Sequence, residues 1–389
     1  MFNIRTYNAI SSKGLSRFNA DNYKVSSESV APEGVLLRSQ KLHNEVLPES
    51  VLAVARAGAG TNNIPTDSYT EQGIVVFNTP GANANAVKEL IVAGLLLGSR
   101  DIYGGMNYVQ ELDHMDDSGE MGKLLEKEKK RFAGSEITGK TLGVVGLGAI
   151  GSIIANLALD LGMDVIGYDP AISVEAAWQL SSRVERMGSL ETLLGRADFI
   201  TLHVPAIPAT KNLINKETLA LMKSSAKILN FAREEIVSTD DMVAALDKGI
   251  IAGYISDFPA PALLGRSDVL LMPHIGASTE EAEENCAVMA ADQLMDYLEN
   301  GNIRNSVNYP PTKMARNGGA RITFTNSNVP KVLGSVLSIL ADAELNVIDM
   351  VNKSRGDIAY NIIDVEGDLS SSIEPAIAAV EGVVRVRII

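Results

Sequence analysis

The fold of this chain is decided by residues 141–170, which read TLGVVGLGAIGSIIANLALDLGMDVIGYDP. The stretch contains, in this order, an apolar run, a glycine-rich turn, a helical pattern, a second apolar run and an acidic residue. This is the order of a dinucleotide-binding βαβ unit in a doubly wound parallel sheet. The stretch predicts a strand over 142–145, a helix that ends near Leu161 and a strand over 164–168.

Three glycines give the turn its properties. Gly146 permits the tight turn, Gly148 lets a pyrophosphate approach the backbone, and Gly151 lets the helix pack against the strand. The helix N-terminus then offers free N–H groups and a positive dipole end to phosphates. Asp169, eighteen residues after Gly151, is placed to bind the ribose hydroxyls and to repel a 2′-phosphate. The predicted cofactor is therefore NAD rather than NADP.

Composition limits the class of protein. The 389 residues are enough for two or three domains, and 46% hydrophobic with 21% charged residues is typical of a globular protein. A net charge of −14 disfavours nucleic acid as a partner, and no apolar run approaches a membrane span. The single cysteine, Cys286, suits a reducing cytoplasm and is interpreted as a packing residue. No metal site is predicted.

Two arginines stand at the ends of early strands. Apolar runs at 35–37 and 51–56 end at Arg38 and Arg56, and the second leads into a Gly/Asn-rich loop over 57–64. Successive strand ends in such a sheet face one crevice, where two guanidinium groups and exposed backbone N–H groups suit a phosphate or carboxylate. The alternatives are two surface arginines and an ordinary strand-to-helix turn.

The α/β alternation continues along the chain. Strands are predicted at 74–77, 199–204, 227–231, 251–257 and 269–272, and helices at 84–100, 190–194, 219–223, 239–248 and 279–299. Residues 107–135 are interpreted as an irregular connector with a weak, solvated helix, and 301–320 as the end of one unit and a linker. From 321 a ferredoxin-like βαββαβ order is predicted, with strands at 322–325, 347–352, 359–365 and 383–389 and helices at 330–343 and 372–380.

Three strand ends deliver Arg233, Asp257 and His274. Ligands of parallel sheets bind beyond the carboxyl ends of strands. Oxidising a 2-hydroxy acid requires a base for the hydroxyl proton, a role suited to histidine, and a cation for the carboxylate, a role suited to arginine. A carboxylate beside the histidine would orient it. His203, at another strand end, is the alternative base, and His274 is preferred.

The chain resembles the D-isomer-specific 2-hydroxyacid dehydrogenase family over nearly its whole length. The resemblance is carried by Arg38-Ser39, RAGAGTNNI (56–64), NTPGANANAVKEL (78–90), GKTLGVVGLGAIG (139–151), LHVPAIPATKNLI (202–214), LNFAREEIV (229–237), PHIGASTEEAEEN (273–285) and NSVNYP (305–310). It implies an α/β fold with a discontinuous, flavodoxin-like substrate-binding domain (1–90 and 280–312) and a Rossmann-type NAD-binding domain (91–279). A linker (313–320) and a C-terminal ferredoxin-like ACT domain (321–389) would follow.

The resemblance also implies roles for residues. Arg233 would bind the substrate carboxylate and His274 would be the acid/base. Substrate contacts are implied for Arg38, Arg56, Gly60, Thr61, Asn62, Asn63, Arg233 and His274. Cofactor contacts are implied for Gly146, Gly148, Ala149, Ile150, Gly151, Asp169, His203, Val204, Pro205, Thr210, Phe231, Ala232, Arg233, Asp257, His274 and Gly276.

Two departures from the family pattern concern the reaction centre. The family usually places a glutamate beside the catalytic histidine, but here no glutamate lies between Asp257 and Glu280. The hypothesis is that Asp257 orients His274, directly or through water; the alternative is that His274 works unassisted. Glu234 also stands where a glycine usually follows the arginine.

The implied reaction is the NAD-dependent oxidation of D-3-phosphoglycerate to 3-phosphohydroxypyruvate, at the entry to serine synthesis. The alternatives are another hydroxy acid (lactate, glyoxylate or 2-hydroxyglutarate) and a non-catalytic NAD-sensing protein. The ACT domain would bind serine through Asn326, Asn328 and Asn346, or serve only assembly into a homodimer or homotetramer. Lys331 replaces the usual glycine there, which weakens the case for serine inhibition.

Overall fold

The computed structural model describes residues 1–367 and 369–389, and of Glu175 the backbone. The strands are β1 (Phe2–Thr6), β2 (Tyr23–Ser26), β3 (Gly34–Leu37), β4 (Ala53–Arg56), β5 (Val75–Phe77), β6 (Thr141–Val145), β7 (Asp164–Tyr168), β8 (Glu185–Arg186), β9 (Phe199–Leu202), β10 (Lys227–Asn230), β11 (Gly253–Ser256), β12 (Val269–Leu271), β13 (Ala320–Ser327), β14 (Val347–Arg355), β15 (Ile358–Val365) and β16 (Val383–Ile388).

Thirteen α-helices lie between these strands in the described part of the chain. They are α1 (Ser12–Leu15), α2 (Thr66–Glu71), α3 (Ala84–Ser99), α4 (Ile102–Gln110), α5 (Ser118–Glu128), α6 (Ala149–Asp160), α7 (Val174–Gln179), α8 (Leu190–Arg196), α9 (Lys216–Leu219), α10 (Thr239–Asp247), α11 (Glu280–Asn300), α12 (Val332–Asp342) and α13 (Ile373–Ala378).

The chain divides into two compact units. Unit 1 is Met1–Asn83 with Thr279–Ile389, and unit 2 is Ala84–Ser278. The domain boundaries drawn from the sequence stay a prediction.

Unit 2 is built on a parallel sheet of order β12-β11-β10-β9-β6-β7-β8. The chain starts at β6, runs outward to β8, and returns to β9 on the other side of β6. The carboxyl ends of β6 and β9 therefore flank the switch point where such sheets bind ligands. Helices α3 and α6 cover one face through a core that includes Ile91 and Ile154. A second core, which includes Leu193, Leu246 and Met242, covers the other face.

Unit 1 contains a parallel sheet of order β2-β1-β3-β4-β5, the flavodoxin-like order. The long helix α11 packs against this sheet through Leu294 and Tyr297. Thr279 caps its N-terminus by accepting a hydrogen bond from the Ala282 N–H at 3.1 Å, and Gly301, at φ 70°, ends it in the left-handed conformation.

The last strands of unit 1 form an antiparallel sheet of order β14-β15-β13-β16. This is the ferredoxin-like arrangement, with α12 and α13 packed on one face. Tyr360 and Ile362 on the other face share a core with Tyr297 and Tyr309. The predicted fold class, with two parallel sheets and a separate antiparallel module, is confirmed.

Segment 107–135, interpreted as an irregular connector with a weak, solvated helix, contains the end of α4 and all of α5, and neither helix has a buried residue. Asp101 and Asp117 cap the two helices by accepting the N–H groups of Gly104 (2.9 Å) and Glu120 (2.8 Å). The helix predicted at 219–223 lies at Lys216–Leu219, where a capping box fixes its start. Strands β1 and β2 were not predicted.

None of the helices in the described part of the chain has both the length and the apolar character that crossing a membrane would need.

Candidate functional site

The turn after β6 has the geometry of a phosphate-binding loop. Gly146 has φ 91°, and a Cβ atom there would lie 2.6 Å from the His203 carbonyl oxygen. A Cβ atom on Gly151 would lie 2.0 Å from the Gly146 carbonyl oxygen. Neither position therefore accepts a side chain without a shift of backbone.

Gly148 is different, because a Cβ atom there would meet nothing within 4 Å among the described residues. The absence of a side chain leaves space directly before the N-terminus of α6, where Gly148 and Ala149 are exposed and Ile150 is half-buried. A helix N-terminus with an open approach fits a pyrophosphate group. The residues present therefore fit the predicted dinucleotide.

Asp169 closes the other side of this loop. Its Oδ2 atom accepts the Leu147 N–H at 2.8 Å and its Oδ1 atom accepts the Ala171 N–H at 2.9 Å. Each carboxylate oxygen keeps a second lone pair for a ribose hydroxyl. Asp169 therefore stabilises the glycine-rich loop and also lies at the position predicted to bind the ribose hydroxyls.

The end of β9 carries His203, Val204 and Pro205, with Thr210 nearby. Thr210 Oγ1 donates to the Pro205 carbonyl oxygen and accepts the Ile207 N–H at 3.0 Å, which fixes this turn. His203 Nε2 lies 2.9 Å from Thr201 Oγ1, and burial lowers the pKa of His203 to about 3. The imidazole is therefore neutral at physiological pH, and its very low basicity disfavours it as the proton acceptor.

Arg233 follows β10 and points its charge outward. Asn230, which is fully buried, donates to the Arg233 carbonyl oxygen at 2.9 Å and accepts the Ala232 N–H at 3.2 Å. The Arg233 side chain is exposed and donates to the Ala232 carbonyl oxygen at 2.6 Å. Phe231 is instead a core residue at 7% exposure, so its side chain contributes packing.

Asp257 and His274 follow β11 and β12, the next two strands of the same sheet. Asp257 is 1% exposed, and its carboxylate accepts the N–H groups of Ile275 at 2.8 Å and Gly276 at 2.7 Å. His274 is exposed and adopts a left-handed φ of 57°. Asp257 therefore fixes the backbone beyond His274, and both of its oxygens are engaged there.

Arg38 and Arg56 meet at one edge of the unit 1 sheet, because β3 and β4 are neighbours in register. The Arg56 Nε atom donates to the Arg38 carbonyl oxygen at 2.9 Å, and its Nη1 atom donates to the Gly60 carbonyl oxygen. Arg38 Nη2 lies 2.6 Å from Glu283 Oε1, and both side chains are half-exposed. Glu283 could not be predicted as a partner of Arg38, since it lies 245 residues away along the chain.

The loop after β4 is held by side-chain amides. Asn63 is buried and donates to the Gln40 carbonyl oxygen at 2.7 Å, and Asn78 donates to the Ala59 carbonyl oxygen at 2.6 Å. Thr61 is half-buried and Asn62 is exposed. Of the predicted loop residues, Asn63 therefore stabilises the loop through its side-chain amide, whereas Thr61 and Asn62 are more accessible to solvent.

The three predicted effector residues are not together within one chain. Asn328 donates to the Gly356 carbonyl oxygen at 3.0 Å, and Asn346 donates to Glu366 Oε2 at 3.0 Å. Gly356 and Glu366 flank opposite ends of β15, a separation of roughly 25 Å at strand geometry. Asn326 is buried and accepts a hydrogen bond from the Asn361 amide at 2.7 Å.

Comparison with known proteins agrees with this geometry. A model of the "D-isomer specific 2-hydroxyacid dehydrogenase, NAD binding domain" matches residues 104–276. D-3-phosphoglycerate dehydrogenase of Escherichia coli K12 is 33% identical, with 88% of this chain and 82% of the relative aligned. The enzyme of that name from Synechocystis is 39% identical over 72% of this chain, and the chain spans only 50% of its length.

Solved structures of similar fold come from the same group of enzymes. The NAD⁺-bound 3-phosphoglycerate dehydrogenase of Entamoeba histolytica is 26% identical, with a TM-score of 0.62 over 79% of this chain and 98% of that one. An NAD-complexed D-isomer specific 2-hydroxyacid dehydrogenase from Lactobacillus delbrueckii is 25% identical, with a TM-score of 0.64 over 79% and 100%. The resemblance read from the sequence is confirmed, and the chain belongs to the D-isomer-specific 2-hydroxyacid dehydrogenase family of NAD-dependent oxidoreductases.

Proposed function

We propose that the protein oxidises D-3-phosphoglycerate to 3-phosphohydroxypyruvate with NAD as the hydride acceptor. The observation that carries this choice of substrate is the pair Arg38 and Arg56, which stand at adjacent strand ends beside the loop 57–63. Two guanidinium groups and an amide-rich loop are suited to a phosphate group. Relatives named D-3-phosphoglycerate dehydrogenase support the same substrate.

The residues after β10 to β12 carry the chemistry. Bound NAD supplies the ring carbon that accepts the hydride. The exposed guanidinium of Arg233 binds the substrate carboxylate and polarises the carbonyl as it forms. His274 removes the proton of the C2 hydroxyl, and in the reverse direction it returns that proton to the carbonyl oxygen. Asp257 is a positioning residue that acts through the Ile275 and Gly276 N–H groups.

The phosphate site is tested by comparing wild type with Arg38→Ala on two oxo acids. With 3-phosphohydroxypyruvate, the loss of a charged hydrogen bond raises KM by about tenfold or more. With unphosphorylated hydroxypyruvate the two enzymes have the same kcat/KM, because there is no phosphate to bind. NADH oxidation is followed at each substrate concentration. An equal loss on both substrates would contradict a phosphate role for Arg38.

Two other functions predict different outcomes. A dehydrogenase of lactate, glyoxylate or 2-hydroxyglutarate would turn over its unphosphorylated substrate better than 3-phosphohydroxypyruvate. A non-catalytic NAD sensor would bind NADH without oxidising it in the presence of any 2-oxo acid. Neither alternative accounts for the arginine pair, although the missing family glutamate fits the sensor.

The C-terminal module is proposed to act between subunits. Asn328 and Asn346 lie at opposite ends of the module, so a shared serine site would need a second chain. Lys331 has φ 79°, a conformation that suits glycine. Its exposed side chain adds bulk and a positive charge before the start of α12, where the family usually has glycine. Exposed Tyr103, Met106 and Val109 on α4 also support a homo-oligomer, and the single cysteine supports a cytoplasmic setting.

A further inference from the structure

The backbone of His274 is fixed, but its ring is not tied by hydrogen bonds. Asp257 holds the two N–H groups that follow, and the left-handed φ of 57° sets the direction of the Cα–Cβ bond. Within residues 1–367 and 369–389, no hydrogen bond reaches the imidazole. A proton acceptor works only from the correct orientation, so a packing contact that limits rotation about the two side-chain bonds would favour proton transfer.

Phe258 provides the ring contact. Its ring centroid lies 5.0 Å from that of His274 at an interplanar angle of 61°, an edge-to-face arrangement. This distance and angle fall in the favourable range for paired aromatic rings, so the contact prefers one ring orientation over others.

Phe258 is itself on fixed backbone. Its N–H donates to Ser256 Oγ at 3.0 Å, and Ser256 is fully buried. Asp257, directly before Phe258, is buried and bonded through its own N–H to the Asn230 carbonyl oxygen at 3.1 Å. The ring is thus presented to His274 from the rigid end of β11.

We propose that Phe258 is a positioning residue that holds the His274 imidazole ready for proton transfer, in a chain that lacks the glutamate of its family. This inference rests on the proposed function. The aromatic ring orients the imidazole by shape and by its quadrupole rather than by a hydrogen bond. Phe258 has no ionisable group, so its ring is in the same form before and after His274 takes up the proton.

The test compares wild type, Phe258→Leu and Phe258→Tyr in steady-state reduction of 3-phosphohydroxypyruvate. Leucine keeps the bulk and removes the ring, so kcat falls by roughly three- to tenfold while the KM for NADH is unchanged. Tyrosine keeps the ring and retains the wild-type kcat. Unchanged kcat in Phe258→Leu, or a change confined to KM, would overturn the proposal.

A second measurement reads the contact without turnover. The chain has four histidines, so ¹³C labelling of their Cε1 atoms gives a simple spectrum, and His274→Asn assigns the His274 signal. In Phe258→Leu the ring-current shift of this signal is lost, whereas Phe258→Tyr keeps it. A His274 signal that is identical in all three proteins would overturn the contact.

His274→Asn also separates this proposal from the proposed function. It lowers kcat by about 10²–10⁴-fold if His274 is the acid/base. Full activity in His274→Asn would refute the proposed mechanism, and the positioning role of Phe258 with it. An inactive His274→Asn beside a fully active Phe258→Leu would refute only the role of Phe258.

Discussion

The positive charge of Arg38 is paired with a carboxylate of the same chain. Glu283 lies 2.6 Å from its guanidinium group, so a phosphate that binds there meets a carboxylate already in place. Because both side chains are half-exposed, the ion pair itself adds little stability. If Arg38 binds the substrate phosphate as proposed, Glu283 competes with that phosphate for the guanidinium group.

Glu283→Gln is expected to lower the KM for 3-phosphohydroxypyruvate by about two- to fivefold at low salt, because a repelling charge is removed. Initial rates at two ionic strengths measure this, and added salt shrinks the gain. Glu284→Gln is the matched control, since Glu284 pairs with Lys13 instead of Arg38. A raised KM in Glu283→Gln would mean that the carboxylate positions Arg38.

Individual site residues could be predicted from the sequence where they directly follow a strand. Residues that matter through a contact with another side chain could not. Arg233, Asp257 and His274 follow strands, and the carboxyl ends of parallel strands form one edge. Glu283 reaches Arg38 from a helix far along the chain, which no local pattern encodes. Phe258 was passed over because an aromatic residue beside a strand is ordinarily a packing residue.

The glycines in the turn from β6 into α6 are needed for two different reasons. Gly146 and Gly151 are required by the backbone itself, whereas Gly148 borders open space. A change at Gly148 therefore separates cofactor binding from folding.

Gly148→Ala is expected to leave the melting temperature nearly unchanged and to raise the Kd for NADH by about tenfold, because its methyl group occupies the approach to the helix N-terminus. Calorimetric titration and thermal melts supply the two values. Gly188→Ala is the control, since its Cβ atom also meets nothing within 4 Å among the described residues and it lies outside the loop. Unchanged NADH affinity in Gly148→Ala would place the pyrophosphate elsewhere.

Continuous apolar runs made most strands of unit 2 predictable, whereas β8 of that unit and some strands elsewhere have no such run. In β1 only Ile4 is fully buried, so FNIRT lacks the apolar run that marks a central strand. Helices α4 and α5 have no buried residues and form from their capping aspartates. Such elements are recognised from cap chemistry rather than from a buried face.

In the whole molecule, a buried arginine of the C-terminal sheet joins that sheet to the rest of unit 1. Arg321 and Asp364 are fully buried and paired at 2.6 Å, and Arg321 also donates to the carbonyl oxygens of Asn300, Met314 and Ala315. Arg387 donates to the Leu298 carbonyl oxygen at 2.8 Å and stacks over Tyr297. Two arginines of the C-terminal sheet therefore donate hydrogen bonds to carbonyl oxygens at the end of α11.

Arg321→Met is expected to reduce the free energy of unfolding by about 3–5 kcal/mol, because it leaves Asp364 buried without a partner. The double variant with Asp364→Leu recovers most of that loss. Denaturant titration measures both. Arg17→Met, which breaks an exposed pair with Asp292, should cost about 0–1 kcal/mol. Equal losses from Arg321→Met and Arg17→Met would show that burial adds nothing to this pair.

The division of unit 1 between the two ends of the chain has a consequence for biosynthesis. Residues 1–83 leave the ribosome before unit 2, yet the core beneath β1, β3 and β4 is completed by α11, which is made nearly 200 residues later. Unit 2 is continuous in sequence, so all of its core residues have been synthesised before α11 is made. Because domains fold as their chain becomes available, the apolar strands of residues 1–83 stay exposed until α11 is translated. Chaperone contacts on the nascent chain should therefore fall on residues 1–83 and persist through synthesis of unit 2.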